Sequence, residues 1–208
     1  MTNNSEESTQ EFLERLEADP VRVAARAEFE RAAQTRVAAE RAASSSILKD
    51  LADVGLHLSS IWELVNTSEP YPEALPILMA HLEQGGYPSR VMEGIGRALA
   101  VKPAVKYWDR LLASYRNATD EGAREGAAVA LAACVTKQHI GDLIALTRER
   151  GEFDEDPIYF LKRIMRLGGD EGRDFVASLV DDRRLGKEAT ALTKRARKGV
   201  EEPPRTGA

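Results

Sequence analysis

Leu78-Met79-Ala80-His81-Leu82 is a pattern that the chain repeats three more times. Leu111-Leu112-Ala113-Ser114-Tyr115, Leu143-Ile144-Ala145-Leu146-Thr147 and Phe175-Val176-Ala177-Ser178-Leu179 follow at shifts of 33, 32 and 32 residues. Each copy sets two large apolar residues before an alanine. A fixed period of this length marks stacked supersecondary units, none of which can bury its apolar side alone. The fourth position is His81, Ser114, Leu146 and Ser178 in turn, so the motif carries packing and no shared chemistry.

The 208 residues suit one ordinary domain or a short repeat array with appendages. Hydrophobic residues make up 43% and charged residues 30%, a globular rather than a disordered balance. Valine, isoleucine and threonine never gather into alternating runs, so the expected class is all-α. The net charge of −5 disfavours nucleic acid and anionic membrane as partners of the whole molecule. Cys134 is the only cysteine, which excludes an intrachain disulfide and a cysteine-based metal cluster. The polar, acidic start is unlike a secretory leader, and no apolar run reaches the about 18 residues that span a bilayer. Cytoplasm is the expected compartment.

Residues 1–8 read as a disordered N-terminus and 9–55 as a helical arm, in which Thr9 caps a short helix carrying Phe12, Leu13 and Leu16. Asp19-Pro20 restarts the helix, and nothing interrupts it before Gly55. Between Pro20 and Ser46 the large apolar residues are Val21, Val23, Phe29 and Val37, too few for a core element along its length. The narrow stripe of Phe29, Ala33 and Val37 fits a solvated helix lying along the body, or a homodimer or partner contact. Ile47, Leu48, Leu51 and Val54 are amphipathic and should dock on the body. Ser60 and Glu63 have capping-box spacing. Helices are then expected over 72–83, from Pro88, and over 104–116, 120–135 (capped by Thr119), 138–149, 157–167, 171–181 and 184–198. Gly85-Gly86 and Gly168-Gly169 act as stops. An acidic loop runs from Glu152 to Asp156, and residues 199–208 read as a disordered tail.

The second helices repeat as well: Glu93-Gly94-Ile95-Gly96-Arg97-Ala98-Leu99-Ala100 matches Glu125-Gly126-Ala127-Ala128-Val129-Ala130-Leu131-Ala132. Small residues there let neighbouring helices approach closely. Leu-rich first helices followed by Ala-Leu-rich second helices resemble HEAT repeats, an armadillo-like class, with four pairs near 71–100, 104–136, 138–168 and 171–198. The passages Ser60-Ile61-Trp62-Glu63-Leu64-Val65-Asn66-Thr67 and Pro70-Tyr71-Pro72-Glu73-Ala74-Leu75-Pro76 are similar to bacterial HEAT-like proteins of no assigned activity. The resemblance implies a short α-solenoid over residues 56–198, a protein-binding scaffold with second helices lining its concave face.

Residues that carry chemistry are sparse. His57, His81 and His139 lack the spacing of a metal pair, and the His-Glu dipeptides of HEAT-like hydroxylases are absent. Cys134 falls on an apolar helical stripe, as do Trp62, Trp108 and Tyr115. Gly94-Ile95-Gly96 lies within a helix and reads as close packing rather than a phosphate loop. Trp108-Asp109 invites comparison with HEAT-like DNA glycosylases, but it sits on a first helix of an acidic chain. No enzyme, metal or cofactor is expected.

Charge on the second helices is the sharper signal. Arg90, Glu93, Arg97, Arg124, Tyr159, Lys162, Arg163 and Arg166 form the expected contact surface for a protein partner, with a solvated helix face as the alternative. The last helix concentrates Arg183, Arg184, Lys187, Lys194, Arg195, Arg197 and Lys198, an alternative nucleic-acid surface or a polar cap on the final repeat.

Overall fold

The computed structural model describes residues 19–149 and 156–201, with the backbone alone at 197–201. The chain divides into two compact units, residues 1–42 and 43–208, and every described element is helical. The expected helix around Phe12, Leu13 and Leu16 and the loop from Glu152 to Glu155 lie outside the described residues. So does the tail beyond Glu201.

In the first unit, Asp19 and Pro20 open helix α1 (Pro20–Ala43) as their chemistry dictates. The Asp19 carboxylate accepts the Val21 N–H at 2.9 Å, and Pro20 occupies a position whose N–H would have gone unused. The helix buries none of its residues; Phe29 is 70% exposed and Val37 62%.

The helix expected to run unbroken to Gly55 stops instead at Ser44, and α2 (Ser45–Ala52) begins the second unit. Consecutive serines weaken the helix there, because their hydroxyls compete for backbone groups. The amphipathic face does dock: Ile47 and Leu51 are fully buried. Helix α3 (Trp62–Asn66) realises half of the capping box. The Glu63 carboxylate accepts the Ser60 N–H at 3.2 Å, while the Ser60 hydroxyl accepts from Trp62 rather than Glu63.

The remaining helices are α4 (Ala74–Gln84), α5 (Ser89–Ala98), α6 (Trp108–Asn117), α7 (Glu121–Cys134), α8 (Ile140–Arg148), α9 (Ile158–Leu167), α10 (Gly169–Ser178) and α11 (Gly186–Glu201). Tighter 3-10 turns at Lys102–Tyr107 and Lys137–His139 lead into α6 and α8, so both start later than the apolar pattern suggests. Asp120, not Thr119, caps α7, its carboxylate accepting the Ala123 N–H at 2.9 Å. Positive φ at Gly85 and Gly86 ends α4, as expected. The Gly168-Gly169 stop is so abrupt that α10 begins on its second glycine.

Neighbour contacts in this unit run in two rows. In the first row α2–α4, α4–α6 and α8–α10 touch, and in the second row α3, α5, α7, α9 and α11 touch in sequence. Cross-row contacts join α4 to α5, α6 to α7, α8 to α9 and α10 to both α9 and α11. All four copies of the repeated motif place their two apolar residues in the core: Leu78 and Met79, Leu111 and Leu112, Leu143 and Ile144, Phe175 and Val176. The alanine that follows is exposed or half-buried in each copy, so it marks the outward edge of the stripe.

The closest crossing is between α5 and α7. A Cβ added at Gly96 would lie 2.3 Å from the carbonyl carbon of Gly126, and one at Gly126 only 2.9 Å from the Glu93 carbonyl oxygen. Backbone meets backbone here, and no side chain fits between. Replacing Gly96 by Ala should therefore destabilise the protein by about 2 kcal/mol, the strain exceeding the roughly 1 kcal/mol gained in helix propensity. Gly141→Ala, where the space around the new methyl is open, should be neutral or slightly stabilising. Urea midpoints of the two variants against the parent protein check the contrast.

Candidate functional site

The close α5–α7 crossing sets the polar groups on the second-row helices. Glu93 and Arg97 lie one turn apart on α5, and the Arg97 guanidinium reaches Glu93 at 2.6 Å and Glu125 of α7 at 2.6 Å. Arg90 holds the other Glu93 oxygen at 3.1 Å while its guanidinium lies 4.2 Å over the Trp62 ring. Tyr159 of α9 donates its hydroxyl to Glu125 at 2.5 Å. Arg90, Glu93, Arg97, Glu125 and Tyr159 thus form one chain of contacts across α5, α7 and α9. Two cations face two anions, so this part of the surface is neutralised from within. Burial, and then the bond to Glu125, push the Tyr159 hydroxyl above its ordinary range and keep it a donor.

Arg124 does not join that surface. Its side chain is 11% exposed, and its Nε faces Asp156 Oδ2 at 3.1 Å without the alignment of a hydrogen bond. The guanidinium stacks 4.4 Å over Tyr115 and donates to that residue's hydroxyl at 3.3 Å. Tyr115 in turn meets Phe160 edge-on at 5.6 Å. Arg124 fell among the expected contact residues because helical spacing alone does not reveal that Asp156, just before α9, will cover it. Its role is internal, tying α7 to the start of α9.

The other expected cations differ from the ladder. Lys162 and Arg166 are exposed and Arg163 half-buried, and none has an anionic partner among the described residues. Lys162 and Arg166 line a groove of about 590 Å³ with Met165, Arg173, Leu192, Arg195 and Ala196. Arg195 comes from the helix singled out for nucleic acid, yet the fold sets it beside Lys162 and Arg166. Arg173 was not foreseen: it stands on a first-row helix and pairs locally with Asp170. Arg183 and Arg184 lie in the turn before α11, beside a separate cavity of about 280 Å³ that Glu149 also lines. Lys187 and Lys194 are exposed on α11. The side chains of Arg197 and Lys198 lie outside the described residues.

The remaining polar candidates hold the fold together. His81 is buried between two helices, its Nε2 at 2.9 Å from Asp50 of α2 and its Nδ1 at 2.6 Å from the Tyr87 hydroxyl. His139 stacks on Trp108 at 4.2 Å, and the indole donates to Asp142 at 2.8 Å, joining α6 to α8. Burial pushes the Cys134 thiol up to about 12, so it is no nucleophile at neutral pH. Gly94, the residue at Gly126's place in the preceding copy, receives Ile61 and Trp62 where Gly126 receives α5. No helix among the described residues is long and apolar enough to cross a membrane. No protein-family model, curated protein or solved structure matches the chain.

Burial pushes the Asp156 carboxyl up to about 6 against an ordinary 3.8, with Arg124 opposing the shift and Glu125 adding to it. The folded chain therefore holds this proton more tightly than the unfolded chain. The group's stabilising contribution is complete below about pH 4 and falls away as pH rises through about 6. Asp156→Asn should remove that part of the slope from a plot of unfolding free energy against pH. Arg124→Ala, leaving a buried carboxylate without its cation, should cost about 3 kcal/mol or more at pH 7, measured by urea unfolding.

Proposed function

We propose that the protein is a non-catalytic helical-repeat scaffold of HEAT-like, armadillo-like type, whose second-row helices receive a protein partner. The observation that carries this reading is the division of charge along that row. Arg90, Glu93, Arg97, Glu125 and Tyr159 are tied into a neutral ladder, while Lys162 and Arg166 are exposed with no anionic partner among the described residues. A rigid, neutral stretch beside an unsatisfied basic one suits a partner carrying local negative charge. The 32-residue spacing, the two rows of neighbour contacts and the buried apolar pairs of all four motif copies support an α-solenoid architecture. The non-catalytic part of the reading is supported by the engagement of His81 with Asp50 and Tyr87, and by the burial of Cys134.

A second reading, association with nucleic acid through α11, draws on the exposed Lys187, Lys194 and Arg195. The net charge of −5 argues against it. So does the separation of Arg195, in the groove, from Arg183 and Arg184, which stand in the turn before α11 beside another cavity. A cytoplasmic setting and a homodimer through α1 belong to the same proposal; the exposed Phe29 and Val37 are the surface such a dimer would cover.

The test is partner capture on immobilised full-length protein, comparing the parent with a Lys162→Glu/Arg166→Glu variant. Retained protein should fall about tenfold in the variant, and parental retention should weaken as salt rises past about 0.3 M, as for a charge-guided contact. Retention that ignores both the reversal and the salt would overturn the assignment of this face.

A further inference from the structure

The groove between α9 and α11 has a definite chemistry. Its floor is apolar, built from Met165, Leu192 and Ala196, and four cations stand around it: Lys162, Arg166, Arg173 and Arg195. No carboxylate is among its described lining residues; Asp170, which holds Arg173, stands outside. We propose that this groove docks an acidic amphipathic helix of a partner protein. The inference rests on the scaffold reading and names the chemistry of what the scaffold holds.

Charge and shape both select that occupant. An apolar stripe laid on Met165, Leu192 and Ala196 loses water on both sides, and carboxylates flanking the stripe come within reach of the cations. Methionine adapts its unbranched side chain to more than one apolar partner. Arg166 and Arg195 can each take a carboxylate through two parallel N–H donors, which sets the register of the incoming helix. A polyphosphate backbone has no use for the apolar floor, and single-stranded nucleic acid prefers aromatic platforms, of which the groove lining has none. A peptide with charge alone would leave the floor wet, and one with apolar residues alone would desolvate Lys162, Arg166 and Arg195 without giving them partners.

The probe is a fluorescent synthetic peptide of about 18 residues, some five helical turns, with a leucine stripe at i, i+3, i+4 and i+7 and glutamates on its flanks. A scrambled peptide of the same composition and a single-stranded DNA oligonucleotide are the comparisons, each titrated by anisotropy against the full chain. The ordered peptide should bind about tenfold more tightly than the scrambled one. Arg195→Glu and Lys162→Glu should each weaken it at low salt. Met165→Glu, at a half-buried position, should weaken it even at about 0.5 M salt, where simple charge attraction is screened. Circular dichroism confirms that each variant is folded. Equal binding of the scrambled peptide, tighter binding of the oligonucleotide, or indifference to all three substitutions would overturn the inference. So would a second copy of the chain occupying the groove, seen as self-association that Arg195→Glu abolishes. A peptide that fails to bind while partner capture still succeeds removes the groove and leaves the scaffold reading intact. A peptide that binds as expected while capture fails supports the groove and overturns the scaffold.

Discussion

Contact between the backbones of α5 and α7 is the constraint on which the second-row surface depends. Gly96 and Gly126 have no side chains, and the two helices come close enough that a single methyl on either would strike main-chain atoms. Helices separated by side chains sit roughly 8–10 Å apart; only residues without a Cβ allow a closer crossing. That proximity brings Glu93, Arg97 and Glu125 within bonding distance and lets Tyr159 complete the chain from α9. A packing choice by two glycines thereby becomes an electrostatic property of the surface.

The polar groups follow two regimes. Where helices cross closely, charges find partners on the neighbouring helix and the surface is neutral and ordered. Arg124 and Asp156 take this furthest, withdrawn from solvent with the guanidinium over the Tyr115 ring. At the groove lined by α9, α10 and α11, cations stand beside an apolar floor. Desolvated ion pairs with good partners rigidify a structure, whereas unpaired surface cations attract and orient an incoming partner. The first regime fixes helix against helix; the second leaves positive charge exposed beside apolar surface.

Several polar residues that look chemical in a linear reading prove to be joints between helices. His81 fastens α4 to α2 through Asp50 and meets the following loop at Tyr87. Trp108 joins α6 to α8 by stacking on His139 and donating to Asp142. Both link successive first-row helices. Their polar atoms are satisfied there because an unpaired buried group costs more than a made bond returns.

Periodicity by itself determined the helical class, the places where most helices stop, and the burial of Leu78, Leu111, Leu143 and Phe175 with their neighbours. These are local matters, governed by the apolar stripe and by caps such as Asp19. The break at Ser44 and the cap at Asp120 depart from the sequence expectation, since a single helical turn offers several serines, threonines and aspartates equal claims. Candidate cations were legible as helical faces, which is why Lys162 and Arg166 were found. Their company was not: Arg195 lies a helix away on α11, and Arg173 was hidden behind its local bond to Asp170. Arg124 shows the same limit from the other side, because its partner Asp156 stands 32 positions on and meets it only once α9 packs against α7. Which charges are satisfied and which remain free depends on distances between helices. Those distances are decided by side-chain volume at the crossings, a property of the packed tertiary structure and not of any one segment.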